Sequence, residues 1–197
     1  HGVVMTALKS WSGKGDDIFV TTQAALDECI DGEYGLMYYD ADGLGAGVRG
    51  DARVINERHA KQGIAAIKVD PFAGSAAVFE PEKEMVKGRK NKDFFSNLKA
   101  QSWWMLRMRF QNTFRAINDI EYDPEMIISI PSDLPERAQL MVELSQPTYT
   151  KNGSGKIVVD KQPDSAKSPN RADSVMICYS PLVRRPQAFA TGGNRTF

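Results

Sequence analysis

Three carboxylates stand where chemistry tends to gather. Asp40 ends a short apolar and aromatic run at residues 36–39, and Asp42 follows it in a glycine-rich turn, Gly43-Leu-Gly-Ala-Gly47. The run reads as a buried strand. In open α/β folds, function collects beyond the carboxyl ends of the strands. A carboxylate there, facing a loop, is placed to hold a cation; the alternative is that it caps the next helix or bonds the turn backbone. Asp173 lies in the first turn of a helix entered through Ser168-Pro-Asn170. The helix dipole favours an anion at that position, so capping is one role open to it. If that helix packs beside the central strand, Asp40 and Asp173 can instead share a cation. Oxygen ligands with no cysteine and no paired histidine point to Mg²⁺ or Mn²⁺ rather than zinc. Two such ions suit phosphodiester hydrolysis, activating water and steadying the leaving oxygen. His59 falls on a helix face and reads as a packed or exposed histidine rather than a catalytic base.

The elements that would position these groups follow from periodicity. Residues 3–11 read as a strand, 16–30 as a helix, 36–40 as the central strand, 48–62 as a helix and 64–69 as a further strand closed by Asp70-Pro71. A right-handed crossover makes the last two strands parallel neighbours. Residues 94–117 read as the longest helix, with Leu98, Trp103, Leu106, Phe110, Phe114 and Ile117 forming one apolar stripe. A strand at 126–130 and a helix at 134–144 come next. Residues 148–160 hold a hairpin, two β-prone arms around Asn152-Gly-Ser-Gly155, with a loop longer than two residues. A helix carrying residues 172–179 ends at Pro181. Residues 1–181 read as one domain, and 182–197 as a flexible basic tail with little to bury.

Composition narrows the class. The 197 residues are enough for a sizeable core, and 42% of them are apolar, too many for a disordered chain. No apolar run approaches membrane-spanning length. The two cysteines, Cys29 and Cys178, are far apart in sequence, which suits a reduced intracellular protein with buried thiols. Formal net charge is zero, but its distribution is uneven. Residues 83–115 carry nine Lys/Arg against two acids, and 145–197 carry eight against three. The acids gather at 16–33 and 119–136. Such segregation suits a polyanion approaching one face, with Lys87, Arg89 and Lys90 in a basic loop and Lys151, Lys156 and Lys161 on the hairpin. Solvated surface charge is the alternative.

Three stretches, in order and with the expected elements between them, resemble the C-terminal nuclease domain of a tailed-phage terminase large subunit of the headful type. Tyr38-Tyr-Asp-Ala-Asp-Gly-Leu-Gly-Ala-Gly47 resembles that family's second acidic motif. Gly155-Lys-Ile-Val-Val-Asp-Lys161 is similar to the hairpin arm before the last motif, and Ser168-Pro-Asn-Arg-Ala-Asp173 resembles the third acidic motif. Lys68-Val-Asp-Pro-Phe-Ala-Gly-Ser75 fits the family's strand and loop after the second helix. The resemblance implies a ribonuclease H-like fold: a mixed central sheet flanked by helices, with an added β-hairpin near residues 147–160. It implies a metal-dependent endonuclease that cuts double-stranded DNA concatemers during genome packaging. Asp40 and Asp173 would ligate Mg²⁺ or Mn²⁺ in a two-metal site, Asp42 would neighbour the second ion, and Lys156 and Lys161 would meet phosphate. Its partners would be the terminase ATPase domain, the phage portal and the small terminase subunit, in the host cytoplasm, with no membrane. The family's first acidic motif lies on a strand upstream of residue 3, and no Walker-type phosphate loop is present, so residues 1–197 alone are expected to show little activity. Alternatives are another ribonuclease H-like nuclease, such as a resolvase or transposase core, or a catalytically silent DNA- or portal-docking module.

Overall fold

Around Asp40 the chain builds a small parallel pair. In the computed structural model, which describes residues 3–11, 18–42, 45 and 47–182, β2 (Leu36–Asp40) lies parallel to β3 (Lys68–Phe72). The register runs from Leu36 opposite Lys68 to Asp40 opposite Phe72. Two helices cover one face, α1 (Ile18–Asp31) and α2 (Val48–Lys61). Leu26, Ala52, Ile55 and Ile67 form their buried centre, with Met37 and Val69 of the strands packed against it. His59 is buried between the two helices, its Nε2 3.5 Å from the Gln23 amide nitrogen and 3.9 Å from an Asp27 carboxylate oxygen. It is a packing residue.

β3 starts later than its apolar run suggests and passes through Pro71. The Asn56 side chain explains the start. Its amide donates to the Ile67 carbonyl (2.8 Å) and its oxygen accepts from the Ile67 N–H (3.0 Å), so α2 rather than β2 satisfies that residue. Among the described residues β3 pairs only with β2, and an edge strand tolerates proline.

The larger core is organised by α4 (Leu98–Ile117). Leu98, Ala100, Trp103 and Leu106 are buried against Ile157 and Val159, Ala172, Val175 and Met176, Ile128 and Leu140. Those partners belong respectively to β6 (Ile157–Asp160), α6 (Asn170–Cys178), β4 (Ile128–Ser129) and α5 (Arg137–Ser145). The long helix expected from residue 94 begins at Leu98. Residues Asn91–Phe94 form a separate turn, α3, Phe95 bridges to Ile157, and Asn97 caps α4 by accepting the Ala100 N–H at 2.9 Å. The apolar stripe is buried only in its first half: Phe114 and Ile117 are 59% and 74% exposed.

The expected single mixed sheet is not seen among the described residues. β1 (Val3–Val4) pairs in parallel with β4, and β5 (Thr148–Lys151) pairs antiparallel with β6, giving three two-stranded sets. The strand read at 3–11 shortens to β1, and the side chains that follow it reach other elements: Thr6 the Tyr34 hydroxyl, Lys9 Glu28 and Ser10 Glu136. The hairpin loop is longer than two residues. Asn152 Oδ1 accepts from the N–H groups of Ser154 and Lys156, and Gly155 takes a φ of +74°, where only glycine is unstrained. No described helix is long and apolar enough to cross a membrane. The tail at 183–197 lies outside the described residues.

Candidate active site

The parallel pair delivers Asp40 to the end of β2, and Ala41 continues the ladder by donating to the Phe72 carbonyl at 2.9 Å. The turn then folds back on itself. Asp40 Oδ1 accepts from the Asp42 N–H at 3.0 Å, and Gly45 lies so close that a Cβ there would sit 2.1 Å from the Asp40 carbonyl oxygen. Only glycine fits at that approach. Asp42 is turned the other way. Its Oδ2 accepts from the Ser75 N–H (2.7 Å) and its Oδ1 from the Ser75 hydroxyl (2.8 Å), which ties the loop after β3 to the loop after β2.

Asp173 comes from the opposite side, in the first turn of α6, which packs against β2. It is 8% exposed. Lys161, the residue after β6, donates to Asp173 Oδ2 and forms an ion pair with it. Asp173 Oδ1 is buried with no hydrogen-bond partner among the described residues. Burial pushes the Asp173 carboxyl above the usual range, the Lys161 ammonium pulls it back, the Asp40 carboxylate adds to the rise and Lys99 opposes it. Asp40 and Asp173 line one open cleft of about 310 Å³, with Tyr38, Tyr39, Asn170, Ser174, Ile177 and Cys178. The sequence-expected pair is thus brought together. A larger hollow of about 480 Å³ between α4, α5 and β5 is lined by Trp103, Trp104, Phe110, Met141 and Tyr149, with Arg107 its one charged residue. Among the described residues it offers no carboxylate, histidine or thiol, whereas the smaller cleft holds two carboxylates and a thiol.

The thiols differ from expectation. Both are free, but Cys178 is exposed at the cleft and Cys29 is only half-buried, because position 178 falls on the outer side of α6. The basic residues divide into two settings. On the hairpin, Lys151 is exposed and Lys156 half-buried, while Lys161 is engaged with Asp173. In the loop at 83–92, Lys90 and Lys92 both clasp Glu82, at 2.8 and 2.6 Å, and hold its carboxyl down at about 2. Lys83 pairs with Glu80 (2.9 Å) and Arg89 lies over the Phe94 ring (5.8 Å); Lys87 has no ion-pair partner among the described residues. The charge count starting at residue 83 left out Glu80 and Glu82, which the fold returns to their lysines.

Residues that sequence reasoning missed are Ser75, Lys99, Glu143 and Gln146. The Lys99 N–H donates to the Gly74 carbonyl (2.8 Å), next to Ser75, joining the start of α4 to the loop that Asp42 holds. Glu143 had a legible signal: an acid three residues after Leu140, on the apolar side of its helix.

Solved structures resemble this arrangement over nearly its whole length. The nuclease domain of the large terminase subunit gp2 of bacterial virus Sf6 superposes with a TM-score of 0.77 and is 28% identical, over 95% of this chain and 80% of that one. The chain has the fold of a terminase nuclease domain. A lysine-to-alanine mutant of that Sf6 domain, with manganese and beta-thujaplicinol, matches at TM-score 0.77 and 27% identity, over 95% of this chain and 80% of that one. The corresponding mutant with calcium matches equally, at 0.77 and 27%, over 94% and 80%. No family model and no curated protein sequence matches the chain. The terminase nuclease fold is mixed α/β and ribonuclease H-like.

Proposed function

We propose that this chain is the metal-dependent endonuclease domain of a phage terminase large subunit, hydrolysing double-stranded DNA to cut concatemeric genomes during packaging. The observation that carries this is Asp173. One of its oxygens is buried without a partner among the described residues, the other rests on a lysine, and Asp40 shares its cleft. An unpaired buried oxygen beside a second carboxylate is costly unless a cation completes it. The donor set is all oxygen, which fits Mg²⁺ or Mn²⁺. Sf6 relatives solved with manganese and with calcium support a divalent ion.

Asp40 and Asp173 would hold the metal, which when bound supplies an activated water and charge stabilisation at the leaving oxygen. Lys161 offsets part of the burial that raises the Asp173 carboxyl before the metal arrives, and is then free to meet a phosphate oxygen. Lys99 adds positive charge that acts on Asp173. Asp42, spent on Ser75, fixes the loop rather than offering a free carboxylate. Lys151 and Lys156 on the hairpin, with Lys87 and Arg89, would track the phosphate backbone without reading sequence. The ATPase domain, portal and small terminase subunit are the partners this role requires, in the host cytoplasm and transiently at the procapsid portal.

Mn²⁺ titration of the chain, and plasmid nicking by a longer chain that also carries the first acidic motif, each run with Asp40→Asn and Asp173→Asn, test the proposal. Both substitutions should weaken Mn²⁺ binding at least about tenfold and abolish nicking. Nicking that survives both would remove the assignment. DNA binding without any Mn²⁺ site would favour a docking module.

A further inference from the structure

α6 begins without a side chain of its own to cap it. Its first amides are met from α5 instead. Glu143 Oε2 accepts from the N–H groups of Arg171 (2.7 Å) and Ala172 (3.2 Å), and Glu143 Oε1 accepts from Arg171 Nη1 (2.9 Å). Arg171 is fixed a second time, through Nε, on Glu136 Oε2 at 2.6 Å. Glu143 is 5% exposed, and an acid so buried is expensive unless its bonds are used. Three residues on, along the same helix face, Gln146 Nε2 donates to the carbonyls of Lys161 (2.6 Å) and Lys167 (2.8 Å). Both members of the Lys161–Asp173 pair are therefore held by α5, the acid through the start of α6 and the lysine through its own carbonyl.

We propose that Glu143 and Gln146 are positioning residues of the metal site: Glu143 aims Asp173 into the cleft, and Gln146 anchors the lysine that competes with a cation for it. This rests on Asp173 being a metal ligand. The two side chains then act on metal affinity in opposite directions, which a merely structural role does not produce. Losing the first spoils the ligand, and losing the second releases the competitor.

Mn²⁺ titration of the chain and three variants tests this, with melting temperature and metal-free amide exchange measured beside it. Glu143→Leu should weaken Mn²⁺ binding by about tenfold or more, as loss of an outer support to a ligand does. Glu143→Gln keeps an oxygen for the two amides and should recover most of that affinity. Gln146→Leu should tighten Mn²⁺ binding by about two- to tenfold, the span of one hydrogen bond. Without metal, the Arg171 and Ala172 amides should exchange faster in Glu143→Leu but not in Gln146→Leu. Losses in both Leu variants that follow melting temperature would overturn the proposal, as would unchanged affinity in Glu143→Leu. If the unsubstituted chain binds no Mn²⁺, the metal-site reading fails by itself, and amide exchange alone decides whether Glu143 holds α6. If Glu143→Leu does not fold, Glu143→Gln and Gln146→Leu decide.

Discussion

Replacing Lys161 by Met should destabilise the metal-free protein and improve its hold on metal. The Lys161 and Asp173 side chains are 24% and 12% exposed, between a surface ion pair and a fully buried one. Exposed pairs contribute up to about 1 kcal/mol, and breaking a buried pair costs 3–5, so roughly 2 kcal/mol is expected here. For a chain of this length, that lowers the melting temperature by about 4–8 °C. Mn²⁺ should reverse it. An ion at a hundred times its dissociation constant stabilises the folded state by about 2.7 kcal/mol, enough to offset the lost pair. Scanning calorimetry of both proteins with and without Mn²⁺, beside a Mn²⁺ titration, measures each part. A metal-free Lys161→Met protein that melts at the wild-type temperature with unchanged Mn²⁺ affinity would refute the reasoning, because the lysine would then neither hold Asp173 nor compete for it.

Asp42→Asn should lower stability by about 1–2 kcal/mol through the loss of its bonds to Ser75, and reduce nicking less than Asp40→Asn does; urea unfolding of the chain and nicking rates of a longer chain carrying the first acidic motif compare the two. Asp173 has a folded-state pKa above its ordinary value. Its favourable contribution is therefore complete below the unfolded pKa, about 3.9, and is lost as pH rises through the folded value. The stability of the metal-free chain minus that of Asp173→Asn should accordingly fall as pH rises above about 4, and a rise would contradict the shift. Charge reversal at Lys151 and Lys156 should weaken duplex binding more than reversal at Lys90 and Lys92, whose charge Glu82 already halves; fluorescence anisotropy at two salt concentrations decides this.

Much of this geometry is local and so can be read in the sequence. Asp40 at a strand end before glycines, Asp173 in a first helical turn, and a hairpin with Asn152 and Gly155 each declare themselves within a few residues. The parallel pairing of β2 with β3 also follows from the order of elements between them. What escaped depends on contacts across the chain. Pairing of Lys90 and Lys92 with Glu82 is set by how a loop folds back over eight to ten residues. Asn56 displaces the start of β3 from a neighbouring helix, and periodicity carries no trace of a side chain bonding distant backbone. Phe114 and Ile117 fit the apolar stripe of α4, yet nothing in the described core extends far enough to cover them. The spare valence of Asp173 was invisible for the same reason: Oδ1 is buried and unpartnered among the described residues through tertiary packing, which periodicity does not carry.

The most direct measurement is anomalous scattering from crystals soaked in Mn²⁺. A manganese peak is expected in the cleft between Asp40 and Asp173, with Oδ1 of Asp173 among its ligands and the Lys161 ammonium displaced from Oδ2. Manganese bound elsewhere, or a saturated crystal in which Lys161 still rests on Asp173 and the cleft holds no ion, would contradict the metal site on which the proposed cleavage depends.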